Sequence, residues 1–210
     1  MQFNENKDLE LYHPDIRAFE VTGRDGKPVG LFLGDYFHRS SKRSGAWMSA
    51  FRSQEKLAGD IRPIIVNVCN FAKPAHGQPA LLSMDDARTL FHEFGHALHG
   101  LMSNVTYPSL SGTSVARDFV ELPSQLYEHW LGTREVLAEF ARHHKTGAPM
   151  PASLIEKIRA ARTFNQGFAT VEFLASAIVD IDFHAATGSE ASKEPMLRQS
   201  ETLQRIGMPR

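Results

Sequence analysis

The chain has 210 residues, 42% hydrophobic and 22% charged, which is enough to bury a real core in one domain or in one domain with a small appendage. Lys and Arg total 23 against 24 Asp and Glu, for a formal charge of −1, so no basic surplus points to nucleic acid. The single cysteine, Cys69, excludes an internal disulfide and suits a reduced, cytoplasmic setting; Met1 to Leu11 is polar, and no apolar run has membrane length, so neither a secretion signal nor a membrane span is expected.

Ile16 to Val21 and Val29 to Gly34 are short apolar runs separated by Arg24-Asp25-Gly26-Lys27, and Asp-Gly between two such runs predicts a β-hairpin. Arg62 to Asn70 is β-branched and dense enough for a buried strand, giving a small sheet of at least three strands. Ser83 followed by Asp85 and Asp86 reads as an N-cap with acids in the first turn, and predicts a helix from Met84 to Met102. Within it Ala87, Leu90, Phe91, Phe94 and Leu98 recur at helical spacing, so part of its circumference is buried. A second helix is predicted from Val115 to Trp130, with Pro123 removing one internal hydrogen bond and kinking it. Beyond it the pattern is helical: Arg134 to His144, Pro151 to Thr187 with a bend near Gly167, and Glu194 to Ile206. Phe164, Phe168, Phe173 and Phe183 read as core aromatics, and Cys69 as small core filler.

Ten histidines make spacing the next question, because imidazole is the commonest metal-binding side chain. His92-Glu93-Phe94-Gly95-His96 has the H-E-x-x-H pattern inside an amphipathic helix, the context in which that pattern carries meaning. Histidines at i and i+4 point the same way, so both imidazoles can take adjacent corners of a Zn²⁺ tetrahedron and leave a position open for water. Glu93 flanks that position and is placed to act as general base, taking a proton from water as it attacks a carbonyl, which is the chemistry of peptide hydrolysis.

A catalytic zinc needs a third protein ligand. His99 faces nearly the same way as His92, but about 10 Å of helical rise separates them, so His99 is read as packing or as an outer partner. The metzincin pattern is excluded, because its third histidine would stand where Met102 stands. Glu121, on the following helix, is a carboxylate that a helical hairpin swings against His92 and His96, and it is the third ligand of this reading. Asp118 and Glu128 lie on a similar helix face to Glu121, and either suits the role of orienting a ligand histidine.

The run from His92 to His99, followed by Ser111-Gly112-Thr113, Arg117-Asp118-Phe119-Val120-Glu121 and Pro123-Ser124-Gln125, resembles the thimet oligopeptidase family of zinc metallopeptidases. Leu31 to Asp35, Lys42 to Met48, Asn67 to Asn70 and Gln125 to Trp130 resemble its bacterial peptidyl-dipeptidase branch more than its oligopeptidase A branch. The resemblance implies a zinc ion on His92, His96 and Glu121, with Glu93 as the general base. It also implies a mainly helical, α+β, zincin-like core: a small β-sheet region over 1–80, a metal-binding helix pair over 81–132 and a helical region over 133–210, all within one catalytic-core segment from the middle of a longer enzyme. The implied activity is hydrolysis of short peptides, with release of dipeptides from a free carboxyl end, against the alternatives of internal cleavage or of a weakly active segment that binds zinc and peptide. In the family, oxyanion-stabilising tyrosines lie on a segment to which Arg205 to Arg210 resembles the approach, so the chain is expected to bind zinc and to hydrolyse poorly. Peptides are the only partners implied, with no nucleic acid and no membrane.

Overall fold

A computed structural model describes residues 1–191 and 193–208, and the chain divides into two compact units, Met1–Pro149 and Met150–Arg210. The first unit is mixed α+β. Its strands β1 (Gln2–Glu5), β2 (Arg17–Thr22), β3 (Pro28–Phe37), β4 (Trp47–Arg52) and β5 (Ile64–Phe71) form one sheet in the order β1-β2-β3-β5-β4. β2 and β3 are the antiparallel hairpin that Asp25-Gly26 predicts, closed by a 2.8 Å bond from the Gly23 amide to the Lys27 carbonyl, with Gly26 at φ 75°. β5 pairs parallel with β3 and antiparallel with β4.

β1 and β4 are not foreshadowed by apolar alternation. Both are edge strands with largely exposed side chains, so too few of their residues are buried to impose a period-2 pattern on their sequences.

The inner strands carry two apolar faces. On one, Ile16, Ala18, Leu33, Val66 and Val68 pack together under Leu11 and Trp47. On the other, Val21, Phe32 and Ile65 pack against Ala97 and Leu101 of α1 (Met84–Leu101), with Phe3, Met48 and Phe94 closing the layer. The buried alternation of β5 thus has a physical reason: even and odd residues serve different layers.

Helix α1 begins in a complete capping box. The Ser83 hydroxyl accepts from the Asp86 amide at 3.0 Å, and the Asp86 carboxylate accepts from the Ser83 amide at 3.0 Å. The helix expected from Val115 to Trp130 is two, α2 (Arg117–Val120) and α3 (Leu122–Leu131), broken at Glu121. Pro123 causes the break: it has no N–H to continue the α2 ladder, and it sits comfortably in the first turn of α3. α4 (Arg134–Phe140) ends short of the predicted His144, where Arg142 bridges back to Pro149 around Gly147, at φ 69°.

In the second unit the helix expected from Pro151 to Thr187 is α5 (Ala152–Ala161) and α6 (Gln166–His184), divided just before Gly167 by Asn165 in the left-handed region, φ 55°. α7 (Pro195–Arg205) is joined to α6 through Asp182, whose carboxylate accepts from Thr202 Oγ1 at 2.7 Å and from Arg205, while Arg198 donates to the Asp182 carbonyl at 2.5 Å. Phe164, in the connection between α5 and α6, and Phe168 and Phe173 of α6 are exposed rather than core: α6 has a weakly one-sided apolar pattern, and α7 is its packing partner within this unit. Phe183 is half-buried, with the Arg198 guanidinium over its ring. Among the described residues no helix is long and apolar enough to cross a membrane.

Candidate metal centre

The site lies where α1 meets the α2–α3 junction. Along α1 the His92 and His96 rings stand edge to face, with centroids 4.9 Å apart, as side chains one helical turn apart must. The break at Glu121 frees that residue from a helix interior and turns its side chain toward α1. Glu121 Oε2 lies 3.2 Å from His92 Nε2 and 3.2 Å from His96 Nε2, and the three candidate donor atoms all fall within 4.8 Å of one another. Zn–N bonds of about 2.0–2.1 Å in a tetrahedron put ligand atoms about 3.3–3.4 Å apart, so these spacings fit a first-row divalent ion.

Outer contacts hold two of the three candidate donors, His92 and Glu121. His92 Nδ1 meets Glu128 Oε1 at 2.7 Å, which leaves Nε2 to face Glu121. Asp118, the other carboxylate with a suitable spacing, is exposed and does not take this role. Ser124, fully buried, donates to Glu121 Oε2 at 2.8 Å and to the Glu121 carbonyl at 2.9 Å, so one hydroxyl pins both the carboxylate and the helix junction. Sequence reasoning names Ser124 only within the run Pro123-Ser124-Gln125 and gives it no role; its signal was a hydroxyl three residues after a candidate ligand, at the start of a helix. His99 packs edge-on to Phe119, with ring centroids 6.0 Å apart, and stays outside the donor triad.

α1 and α3 approach so closely at the site that a Cβ on Gly95 would lie 2.6 Å from the Pro123 carbonyl oxygen and 2.6 Å from Ser124 Cα. Phe91 and Phe94 lock the same interface through Tyr127, at centroid distances of 5.5 and 5.6 Å. Ser111-Gly112-Thr113 turns against the end of α1: the Gly112 amide donates to Ser103 Oγ at 3.0 Å, and Gly112 adopts φ 56°.

Glu93 is buried beside the triad, and one of its oxygens, Oε2, has no hydrogen-bond partner among the described residues. Burial raises its pKa; the His92 charge opposes and the Glu121 charge adds to that rise. Burial likewise lowers the pKa of His96, against the pull of Glu121, and so favours the neutral imidazole that a metal requires. Two imidazoles, of which burial favours the neutral form of His96, and a carboxylate are donor types that a mononuclear metal site uses, and the raised-pKa acid Glu93 lies beside them.

The chain belongs to peptidase family M3, whose model matches residues 1–209. It is 47% identical over 194 residues to dipeptidyl carboxypeptidase of Escherichia coli, covering 92% of this chain and 28% of that protein. The Salmonella typhimurium dipeptidyl carboxypeptidase is 49% identical over 191 residues, 91% of this chain and 28% of the relative. Oligopeptidase A of E. coli is 39% identical over 184 residues, 86% of this chain and 27% of the relative. The chain therefore spans between a quarter and a third of the length of these relatives.

Proposed function

We propose that this chain is the metal-bearing segment of a zinc-dependent oligopeptidase with a zincin-like core, which releases dipeptides from the free carboxyl end of short peptides. The observation that carries the reading is the equal approach of Glu121 Oε2 to both histidine Nε2 atoms, 3.2 Å each, with the buried Glu93 one residue from the first histidine. In this reading His92, His96 and Glu121 hold the ion, and all of Met1 to Arg210 serves one catalytic core. Zinc, when bound, supplies positive charge that polarises a scissile carbonyl and acidifies a nearby water. The Glu93 carboxylate takes the proton of the attacking water and delivers it to the departing amine nitrogen. Glu128 keeps Nδ1 of His92 engaged so that its Nε2 stays aimed at the ion, and Ser124 does the same for Glu121. Identity of 47–49% to dipeptidyl carboxypeptidases, against 39% to an oligopeptidase A, favours carboxyl-terminal release over internal cleavage.

The test is metal stoichiometry with a matched assay. One zinc per chain is expected by elemental analysis, and none in Glu121→Ala. Glu93→Gln is expected to keep the zinc and to lose about 10²-fold or more of whatever hydrolysis the chain supports. An amino-blocked peptide with a free carboxyl end should yield dipeptides, while its carboxamide should not; internal products from both would establish the oligopeptidase alternative. Full zinc retention in Glu121→Ala removes the three-ligand site.

A further inference from the structure

A second group of polar atoms lies behind the candidate metal centre, in the layer between α1 and the sheet. Asn67, in β5, is fully buried, and neither its Oδ1 nor its Nδ2 has a hydrogen-bond partner among the described residues. His96 Nδ1 and Glu93 Oε2 are buried and unpartnered in the same way. Leaving a buried donor or acceptor unmet costs about 1–3 kcal/mol each, so four such atoms in one layer call for a common explanation.

The register of helix on sheet brings them to one level. Val66 and Val68 belong to the far face of the sheet and Ile65 to the α1 face, so strand alternation puts Asn67 and Cys69 on the α1 face with Ile65. At one end a Cβ on Gly100 would meet Ile65 Cδ1 at 2.7 Å. At the other, the Cys69 thiol is pushed up to about 12, first by burial and then by the charge of Glu93. α1 therefore runs antiparallel to β5, and its stripe Gly100, His96, Glu93 descends past Ile65, Asn67, Cys69. Four helical residues rise about 6 Å and two strand residues about 6.6–6.8 Å, so Asn67 stands opposite His96, with Glu93 one step on.

The donors and acceptors are complementary. With Nε2 of His96 turned to the metal, its Nδ1 carries a proton and needs an acceptor; Glu93 Oε2 needs a donor; a primary amide offers one of each. We propose that Asn67 is a positioning residue that couples the two across enclosed water: its Oδ1 takes up the hydrogen bond passed on from His96 Nδ1–H, and its Nδ2–H supplies the one passed on to Glu93 Oε2. This fixes the His96 tautomer as Glu128 fixes that of His92, and holds the inner oxygen of Glu93 so that the outer one faces the reacting water. The proposal rests on the reading of His96 as a ligand, deepening it with a buried support that α3 does not supply.

The test uses the full chain with ¹⁵N-labelled histidine. In the metal-free protein His96 should be the Nδ1–H tautomer with a slowly exchanging ring proton; in Asn67→Leu that proton should exchange rapidly. Zinc affinity, measured by chelator competition with zinc(II) alone, should fall about 10- to 100-fold in Asn67→Leu. Asn67→Ser, which keeps a hydroxyl, should lose less. An Asn67→Leu protein with an unchanged His96 ring proton and unchanged zinc affinity overturns the proposal. If that variant fails to fold, the unmutated chain decides: exchange of the His96 proton as fast as in an exposed imidazole overturns it, and protected exchange supports it. A chain that takes up no zinc, yet holds a protected His96 proton that Asn67→Leu releases, sinks the metal reading and leaves the role of Asn67 standing.

Discussion

Gly95→Ala is expected to abolish the proposed tight metal binding while leaving most of the fold in place. The methyl group would stand 2.6 Å from both the Pro123 oxygen and Ser124 Cα, and these are backbone atoms that no rotamer change can move aside. α1 and α3 must separate. The candidate donors are divided across this contact, His92 and His96 on α1 and Glu121 at the head of α3, with its buttress Ser124 among the atoms struck. Metal sites tolerate ligand displacements of only about 0.2 Å, so a shift large enough to admit a methyl breaks the triad. Overpacking costs about 1–3 kcal/mol, partly offset by the roughly 1 kcal/mol that alanine gains over glycine in a helix. The net stability change is therefore small beside the loss of zinc affinity, expected to exceed the ~10- to 100-fold that follows loss of an outer partner. Chelator competition measures the affinity, and far-UV circular dichroism checks the fold. Gly167→Ala is the control: it lies in α6, where a Cβ meets nothing within 4 Å, and it should leave zinc affinity unchanged. Wild-type affinity in Gly95→Ala would mean that the helix contact does not set the geometry of the site.

How much of this was legible in the sequence depended on how local each signal was. The capping box at Ser83, the Asp25-Gly26 hairpin and the spacing of His92 and His96 are fixed by neighbours within a few residues, and local sequence states them directly. Glu121 is nameable from sequence as a candidate ligand, but the break that frees it reads there as a kink, because Pro123 can act in either way until tertiary packing decides. Glu128 and Asp118 shared a plausible helix face, and only the approach of α3 to α1 separates the carboxylate that meets His92 from the one left in solvent. The edge strands β1 and β4 left no pattern because only Phe3, Trp47 and Met48 among their residues pack against the core, too few to set a period. Asn67 stands in the sequence only within a strand and a family-like run; the role proposed for it comes from the register of β5 beneath α1.

The second large effect is expected outside the triad, at Asp35. This carboxylate is 1% exposed in β3 and is met by Arg39 Nη1 and Nη2 at 2.6 and 2.7 Å, by Lys42 Nζ at 3.1 Å and by the Tyr12 hydroxyl at 3.2 Å. Lys42 also donates to the Phe37 carbonyl at 2.9 Å and to the Cys69 carbonyl, so it ties the turn after β3 to the end of β5. Asp35→Ala leaves that nearly buried ammonium, 5% exposed, facing carbonyl dipoles without its counter-charge. Removing one partner of a buried pair costs about 3–5 kcal/mol, a large part of the stability of a domain this size. The consequence reaches the site, because the loop held by Lys42 leads into β4, and Met48 of β4 packs in the layer beneath α1. The wild-type chain should show the matching acid dependence. Burial raises the Asp35 pKa, but the hydrogen bonds and charges of Arg39 and Lys42 outweigh burial and hold it below the ordinary 3.8. A carboxyl with a depressed folded-state pKa contributes stability that is complete above its unfolded value and is lost as pH falls through the folded value. Urea unfolding midpoints should therefore fall as pH drops below about 3.8, and Asp35→Asn, which does not titrate, should show a shallower fall over the same range. Identical slopes in the two proteins would show that Asp35 is not the group whose protonation loosens the sheet.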